Sequence, residues 1–71
     1  MDVGLRFTKD VRGGWCCEAP AYFGAKACKP TRAAAQAACS AIVFRILAGQ
    51  LEGGFFDEAS ADVRFILAEE G

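Results

Sequence analysis

The chain contains no histidine, and this absence argues against two kinds of functional site. Histidine is the usual general acid or base near neutral pH and a frequent zinc ligand. The four cysteines also contain no Cys-x-x-Cys pair, the spacing typical of structural zinc sites. We therefore predict that the protein holds no metal and no cofactor. The cysteines are Cys16, Cys17, Cys28 and Cys39.

Two further absences bear on where the protein acts. The first residues lack the basic region and apolar run of a signal peptide. No apolar stretch approaches the ~20 residues that a membrane span needs. We therefore expect a cytoplasmic protein that has no membrane partner and whose thiols stay reduced. In this interpretation the cysteines are small, inert apolar residues.

Apolar residues, in contrast, are abundant: they make up 54% of the 71 residues. So short a chain forms one domain, here residues 1–71, and buries only roughly 60% of its unfolded surface. The apolar content exceeds what one small core hides, so we expect a homodimer or a higher oligomer.

Three short strands are predicted before residue 30. Val3, Leu5 and Phe7 alternate with polar residues or glycine, the period of a half-buried strand. A polar turn over residues 9–14 leads to a return strand at 15–19, and a loop at 20–24 leads to a third strand at 25–29. The predicted first pairing joins Phe7 to Trp15, Leu5 to Cys17, Val3 to Ala19 and Arg6 to Cys16. The predicted second pairing joins Ala19 to Ala25, Glu18 to Lys26, Cys17 to Ala27 and Cys16 to Cys28.

A long helix follows Pro30, with Thr31 as the predicted N-cap. The sequence allows an end near Gly49 or at Gly53-Gly54. Its predicted core stripe comprises Ala35, Ala38, Cys39, Ile42 and Ile46, with Val43 beside it. The other side is also apolar, and we predict that it forms the oligomer interface. The predicted interface residues are Ala37, Ala41, Phe44 and Leu47.

A fourth strand is predicted over residues 62–68, where Val63, Phe65 and Leu67 alternate with their neighbours. The element order is then β-β-β-α-β, an α+β fold. We expect one four-stranded mixed sheet of order 3-2-1-4, in which the fourth strand lies parallel to the first and the helix covers one face.

Several short features together resemble the HicB-like antitoxin family. They are Gly13-Gly14-Trp15 after a polar turn, the corner Pro20-Ala21-Tyr22-Phe23-Gly24, and Thr31 before an alanine-rich helix. The resemblance covers about residues 3–47. It implies a truncated ribonuclease-H-like fold and a small HicA-like ribonuclease toxin as partner. The chain differs from many family members because we expect no C-terminal DNA-binding segment after the fourth strand.

Catalysis of the ribonuclease H type is not expected. It requires clustered carboxylates that hold two Mg²⁺ ions near the strand ends. The first strand has only Asp2 and Asp10 at its extremities, and residues 32–51 contain no acid. We therefore predict a non-catalytic protein-protein interaction module.

The charges suggest how partners would bind. Up to Arg32 the chain has six basic and three acidic residues, and after it two basic and six acidic residues. We predict that Asp57, Glu58 and Asp62 bind a basic toxin.

The alternatives are a solitary HicB-like protein of unknown role, a redox role for Cys16 and Cys28, and an RNA-binding module. In the RNA-binding alternative, the outer sheet face would bind through Arg6, Lys26 and Arg64, but direct nucleic-acid binding is disfavoured because no aromatic residue lies between these cations.

Overall fold

The fold follows the predicted element order. The computed structural model describes residues 2–54 and 63–69. The strands are β1 (Asp2–Lys9), β2 (Trp15–Ala19), β3 (Ala25–Lys29) and β4 (Arg64–Glu69), and the helix is α1 (Arg32–Glu52). They form a four-stranded sheet of order β3-β2-β1-β4, in which β4 is parallel to β1. The α+β fold and the 3-2-1-4 sheet order are confirmed.

The predicted register between β1 and β2 is wrong by two residues. Phe7 pairs with Cys17 and Lys9 pairs with Trp15, so β1 extends through Lys9. The loop is shorter than predicted, because the amide of Asp10 donates to the Gly14 carbonyl oxygen across residues 10–14. A shift of two residues preserves the faces of both strands, since side chains alternate with a period of two. It changes the partners, and Arg6 lies opposite Glu18 rather than Cys16.

The β2–β3 register agrees with the prediction at every predicted pair. The loop between these strands turns at Tyr22, whose amide donates to the Ala19 carbonyl oxygen, while its carbonyl oxygen accepts from the amide of Ala25. Tyr22 is buried in the core, whereas Phe23, at φ 56°, is 85% exposed. The loop was predictable from its sequence, but the core position of Tyr22 was not.

Local signals fix both ends of α1. The Thr31 hydroxyl oxygen accepts a hydrogen bond from the amide of Ala34 at 3.2 Å, which satisfies a donor that the first helical turn leaves without a partner. At the other end the amide of Gly53 donates to the Gly49 carbonyl oxygen. The helix therefore passes Gly49 and ends at the glycine pair, the second of the two predicted ends.

The core side of α1 differs from the predicted stripe. The buried residues are Ala35, Cys39, Val43 and Leu47. They form a single i, i+4 row, which is inclined to the helix axis, so the contact with the sheet runs obliquely along α1. Ile42 and Ile46 pack beside this row and are only partly buried. The prediction that Leu47 lies on an exposed interface is wrong, because its exposed fraction is 6%.

By length and composition alone, α1 is long and apolar enough to cross a membrane. It has 21 residues, and an 18-residue window in it has a mean hydropathy of 1.3. The core helix of a domain can meet the same criterion, and the buried row of α1 packs against the sheet. The absence of a membrane partner stays a prediction.

The core lies between α1 and one face of the sheet. Val3, Leu5 and Phe7 of β1 are at most 1% exposed, and Cys17 and Ala19 of β2 are fully buried. On β4, Phe65 pairs with Val3 and packs against this core. The predicted fourth strand began at residue 62, which lies outside the described residues, and the observed strand begins at Arg64.

Candidate functional site: an apolar edge, a basic end and two cysteine pairs

The outer face of the sheet, opposite α1, has less free positive charge than the sequence suggested. Arg6 forms an ion pair with Glu18 from the neighbouring strand. Arg64 donates to an Asp2 carboxylate oxygen at 3.1 Å. Of the three cations predicted to bind RNA there, only Lys26 has no ion pair with a described residue. These pairs weaken the case for nucleic-acid binding by this face.

Cys16 and Cys28 are joined by a disulfide on the outer face. They are directly opposite each other in the β2–β3 register, as predicted. Cys28 is exposed, whereas Cys16 is 8% exposed. The expectation of reduced, inert thiols is therefore wrong for this pair, because its cross-strand position brings the two sulfur atoms together.

The other two cysteines form a buried thiol pair on the core side. The Cys17 thiol contacts Cys39 through a hydrogen bond, and the Cys39 thiol donates to the Ala25 carbonyl oxygen at 3.6 Å. Burial and then the contact with Cys39 raise the pKa of Cys17 from 9.0 to about 12. Burial also raises the pKa of Cys39. Both thiols are therefore protonated and unreactive at neutral pH, as expected of small core residues.

An apolar surface lies at the β4 edge of the sheet. Phe44 and Ile66 are each 51% exposed, and Leu67 is 45% exposed. We call these three residues the β4 patch. Phe44 reaches it from α1, since its ring packs edge-on against Phe65 with centroids 5.6 Å apart. Ile66 lies on the outer face and Leu67 on the face toward α1, so the edge is apolar on both faces.

The predicted interface residues do not form one exposed surface. Ala37 is exposed, Ala41 is half-buried, Phe44 belongs to the β4 patch and Leu47 is buried in the core. The predicted toxin-binding residues Asp57, Glu58 and Asp62 lie outside the described residues. Among the described residues, no group of three or more potential metal ligands occurs.

A cluster of cations lies at the end of the sheet beside the β1–β2 loop. Lys9, Trp15 and Lys29 are cross-strand neighbours on β1, β2 and β3, so the tryptophan stands between two lysines. The Lys9 ammonium lies 5.7 Å from the centroid of the Trp15 ring. Arg12 is exposed in the adjoining β1–β2 loop. We call Lys9, Arg12, Trp15 and Lys29 the basic end.

An open cavity of about 330 Å³ adjoins the basic end. It lies between the β1–β2 loop and the end of β3, and Asp10, Arg12, Lys29 and Pro30 are among its lining residues. This cluster was not predicted, because the predicted register placed Phe7 beside Trp15. The signal was present: continuing β1 to Lys9 places this lysine opposite Trp15, and the β2–β3 register places Lys29 on the other side of the tryptophan.

The chain was also compared with known proteins. No protein-family model matches it, and no curated protein or solved structure shows significant similarity to it.

Proposed function

We propose that this protein is a non-catalytic protein-protein interaction module of the HicB-like antitoxin type, which associates with a second copy of itself and binds a small basic ribonuclease. The proposed association with a second copy rests on the β4 patch. It gives the domain an apolar edge that its own described elements do not cover. The β-β-β-α-β order with β4 beside β1 agrees with the fold that the family resemblance implies.

The edge of β4 lacks the features by which monomeric proteins protect their sheets. Such edges usually contain proline, an inward-pointing charge or a bulge. The central residues of β4 are Phe65, Ile66, Leu67 and Ala68, with no charge and no proline among them. An exposed apolar edge strand of this kind favours pairing with another strand.

A second copy of the chain fits this edge through twofold symmetry. An axis perpendicular to the sheet at Ile66 pairs the two β4 strands in antiparallel fashion, with Ile66 opposite its own copy. Phe65 then lies opposite Leu67 of the second copy, on the face that carries α1. Both pairs join apolar side chains, which stabilise antiparallel sheets when they face each other. The homodimer contains one continuous eight-stranded sheet, twice the four strands of one copy.

The oligomeric state tests this part of the proposal. Ile66→Lys should convert the dimer into a monomer in size-exclusion chromatography with light scattering, because it places a charge at the centre of the pairing strands. Ala37→Lys is the matched control, since it adds the same charge to an exposed position of α1 and should leave the dimer intact. A monomeric wild-type protein, or a dimer broken by Ala37→Lys alone, would contradict the β4 interface.

Binding of the ribonuclease partner rests on the acidic residues at 57, 58 and 62 and on the family resemblance. We expect the protein to copurify with a small basic ribonuclease encoded beside it and to inhibit its activity. Charge reversal at Asp57 and Glu58 should weaken that complex and leave the homodimer unchanged. If neither copurification nor inhibition is observed, the antitoxin assignment is wrong, whereas the dimer is judged separately by the Ile66→Lys result.

A further inference from the structure

The basic end differs from the outer face of the sheet because, among the described residues, its cations have no acidic partners. Lys9, Arg12 and Lys29 form no ion pair with any residue in the described part of the chain. Asp10 is the one acid among the residues that line the adjoining cavity, and its carboxylate accepts a hydrogen bond from the amide of Arg12 at 3.3 Å. Three cations and one carboxylate leave an excess of positive charge.

The row Lys9–Trp15–Lys29 also lies beyond the start of the helix. The Arg32 guanidinium, in the first turn of α1, lies 4.3 Å from the centroid of the Phe7 ring. Phe7 belongs to the preceding cross-strand row, with Cys17 and Ala27. The last row of the sheet therefore extends past the N-terminus of α1, and Trp15 is only partly buried.

The spacing in this row suits a ligand that combines negative charge with flat rings. Neighbouring strands lie about 4.8 Å apart, so the backbones of Lys9 and Lys29 are separated by roughly 10 Å with the indole between them. Single-stranded nucleic acids are bound by such arrangements, in which cations contact phosphates and an aromatic ring stacks on a base. An acidic peptide would use the lysines but has no group that requires the tryptophan.

We infer that the basic end is a binding site for single-stranded nucleic acid. Lys9, Lys29 and Arg12 contact consecutive phosphates, and one base stacks on Trp15. The Lys9 ammonium, which lies over the indole in the unbound protein, moves to a phosphate and leaves the ring face to the base. This site is separate from the β4 patch, because β4 lies at the opposite edge of the sheet from β3.

Fluorescence anisotropy with a labelled homopyrimidine oligonucleotide tests the inference. The logarithm of the affinity should fall with the logarithm of the salt concentration with a slope of about −2, as expected for three phosphate contacts on a single strand. Trp15 is the only tryptophan, so its own fluorescence should be quenched on binding. A duplex of the same length should bind more weakly, because its bases are already stacked.

Two lysines of the same strand provide the matched variants. Lys29→Ala should lower the affinity severalfold and reduce the magnitude of the salt slope by about 0.7, the share of one phosphate contact on a single strand. Lys26→Ala, on the outer face of β3, removes the same charge and should leave the affinity within twofold of the wild type. Trp15→Leu should weaken binding about tenfold or more while leaving most of the salt slope, since stacking and phosphate contacts are separate contributions. Circular dichroism establishes that each variant is folded.

Three results would overturn the inference. The first is an affinity that does not depend on salt, or no binding at low salt. The second is an equal loss of oligonucleotide affinity in Lys26→Ala and Lys29→Ala, which would indicate a diffuse effect of charge. The third is binding of polyglutamate as tight as that of the oligonucleotide, which would identify an acidic peptide as the ligand.

Discussion

Gly14 lies directly against the backbone of Lys29. A Cβ atom at position 14 would stand 2.6 Å from the Lys29 carbonyl oxygen, a distance that real Cβ contacts do not reach. Because the obstacle is backbone, it cannot move aside as a flexible side chain would. The absence of a side chain at Gly14 thus allows the β1–β2 loop to approach the end of β3. The loop and the end of β3 together line the cavity beside the basic end.

Gly14→Ala should therefore lower the free energy of unfolding by about 1–3 kcal/mol, the usual cost of overpacking. Gly4→Ala is the control, since a Cβ atom at that position of β1 would meet no atom within 4 Å. Urea denaturation followed by circular dichroism measures both. Equal stability of the two variants would show that the loop adjusts at little cost.

The disulfide between Cys16 and Cys28 should contribute to stability by restricting the unfolded chain. It closes a short loop, with a sequence separation of 12, for which the expected contribution is about 3 kcal/mol. Reduction should shift the denaturation midpoint of the wild type to lower urea. The Cys16→Ala/Cys28→Ala double variant should show no such shift on addition of reductant.

Thiol counting checks the same pair independently. Unfolded protein that has not been reduced should expose two reactive thiols, from Cys17 and Cys39, and reduced protein should expose four. Four thiols in the untreated protein isolated from its host would mean that Cys16 and Cys28 stay reduced there. That outcome would agree with the predicted cytoplasmic localisation, because cytosolic thiols are kept reduced.

The Thr31 cap can be tested with a conservative pair of variants. Thr31→Ala removes the oxygen that accepts from the Ala34 amide and should cost about 1 kcal/mol of stability. Thr31→Ser keeps that oxygen and should stay close to the wild type. A Ser variant as unstable as the Ala variant would assign the effect to the lost methyl group rather than to the cap.

The two hairpins show what the sequence determines. The β2–β3 register was predictable because Glu18 has a complementary partner in Lys26. The β1–β2 register was not predictable, because Lys9 is a polar residue of the kind found in turns and yet continues the strand opposite Trp15. The hydrogen bonds of Asp10 close this loop locally, whereas the close approach of Gly14 to Lys29 joins residues far apart along the chain.

The helix and the functional surfaces depend in the same way on tertiary packing. Periodicity identified α1 and its cap, but it assigned Leu47 to the exposed side because a straight stripe was assumed. The oblique contact with the sheet buries Leu47 and leaves Phe44 beside Phe65. The basic end was overlooked for a related reason, since it exists only when three strands are aligned in the observed register.

The thiols of Cys17 and Cys39 should make stability depend on alkaline pH. The pKa of Cys17 is about 12 in the folded chain against 9.0 for an ordinary thiol, and that of Cys39 is also raised. Above about pH 9 the unfolded chain releases these protons while the folded chain retains them, so deprotonation favours unfolding. The stabilisation is complete below pH 9 and is lost as the pH rises toward the folded values.

Each thiol should lower the free energy of unfolding by up to about 1.4 kcal/mol per pH unit in this window. Urea denaturation at intervals between about pH 8 and pH 10.5 measures the slope. Cys39→Ala removes one titrating group, so its slope should be shallower than that of the wild type. Parallel slopes would show that the thiol pair is not protected from deprotonation, and hence that Cys17 and Cys39 are more accessible than their burial indicates.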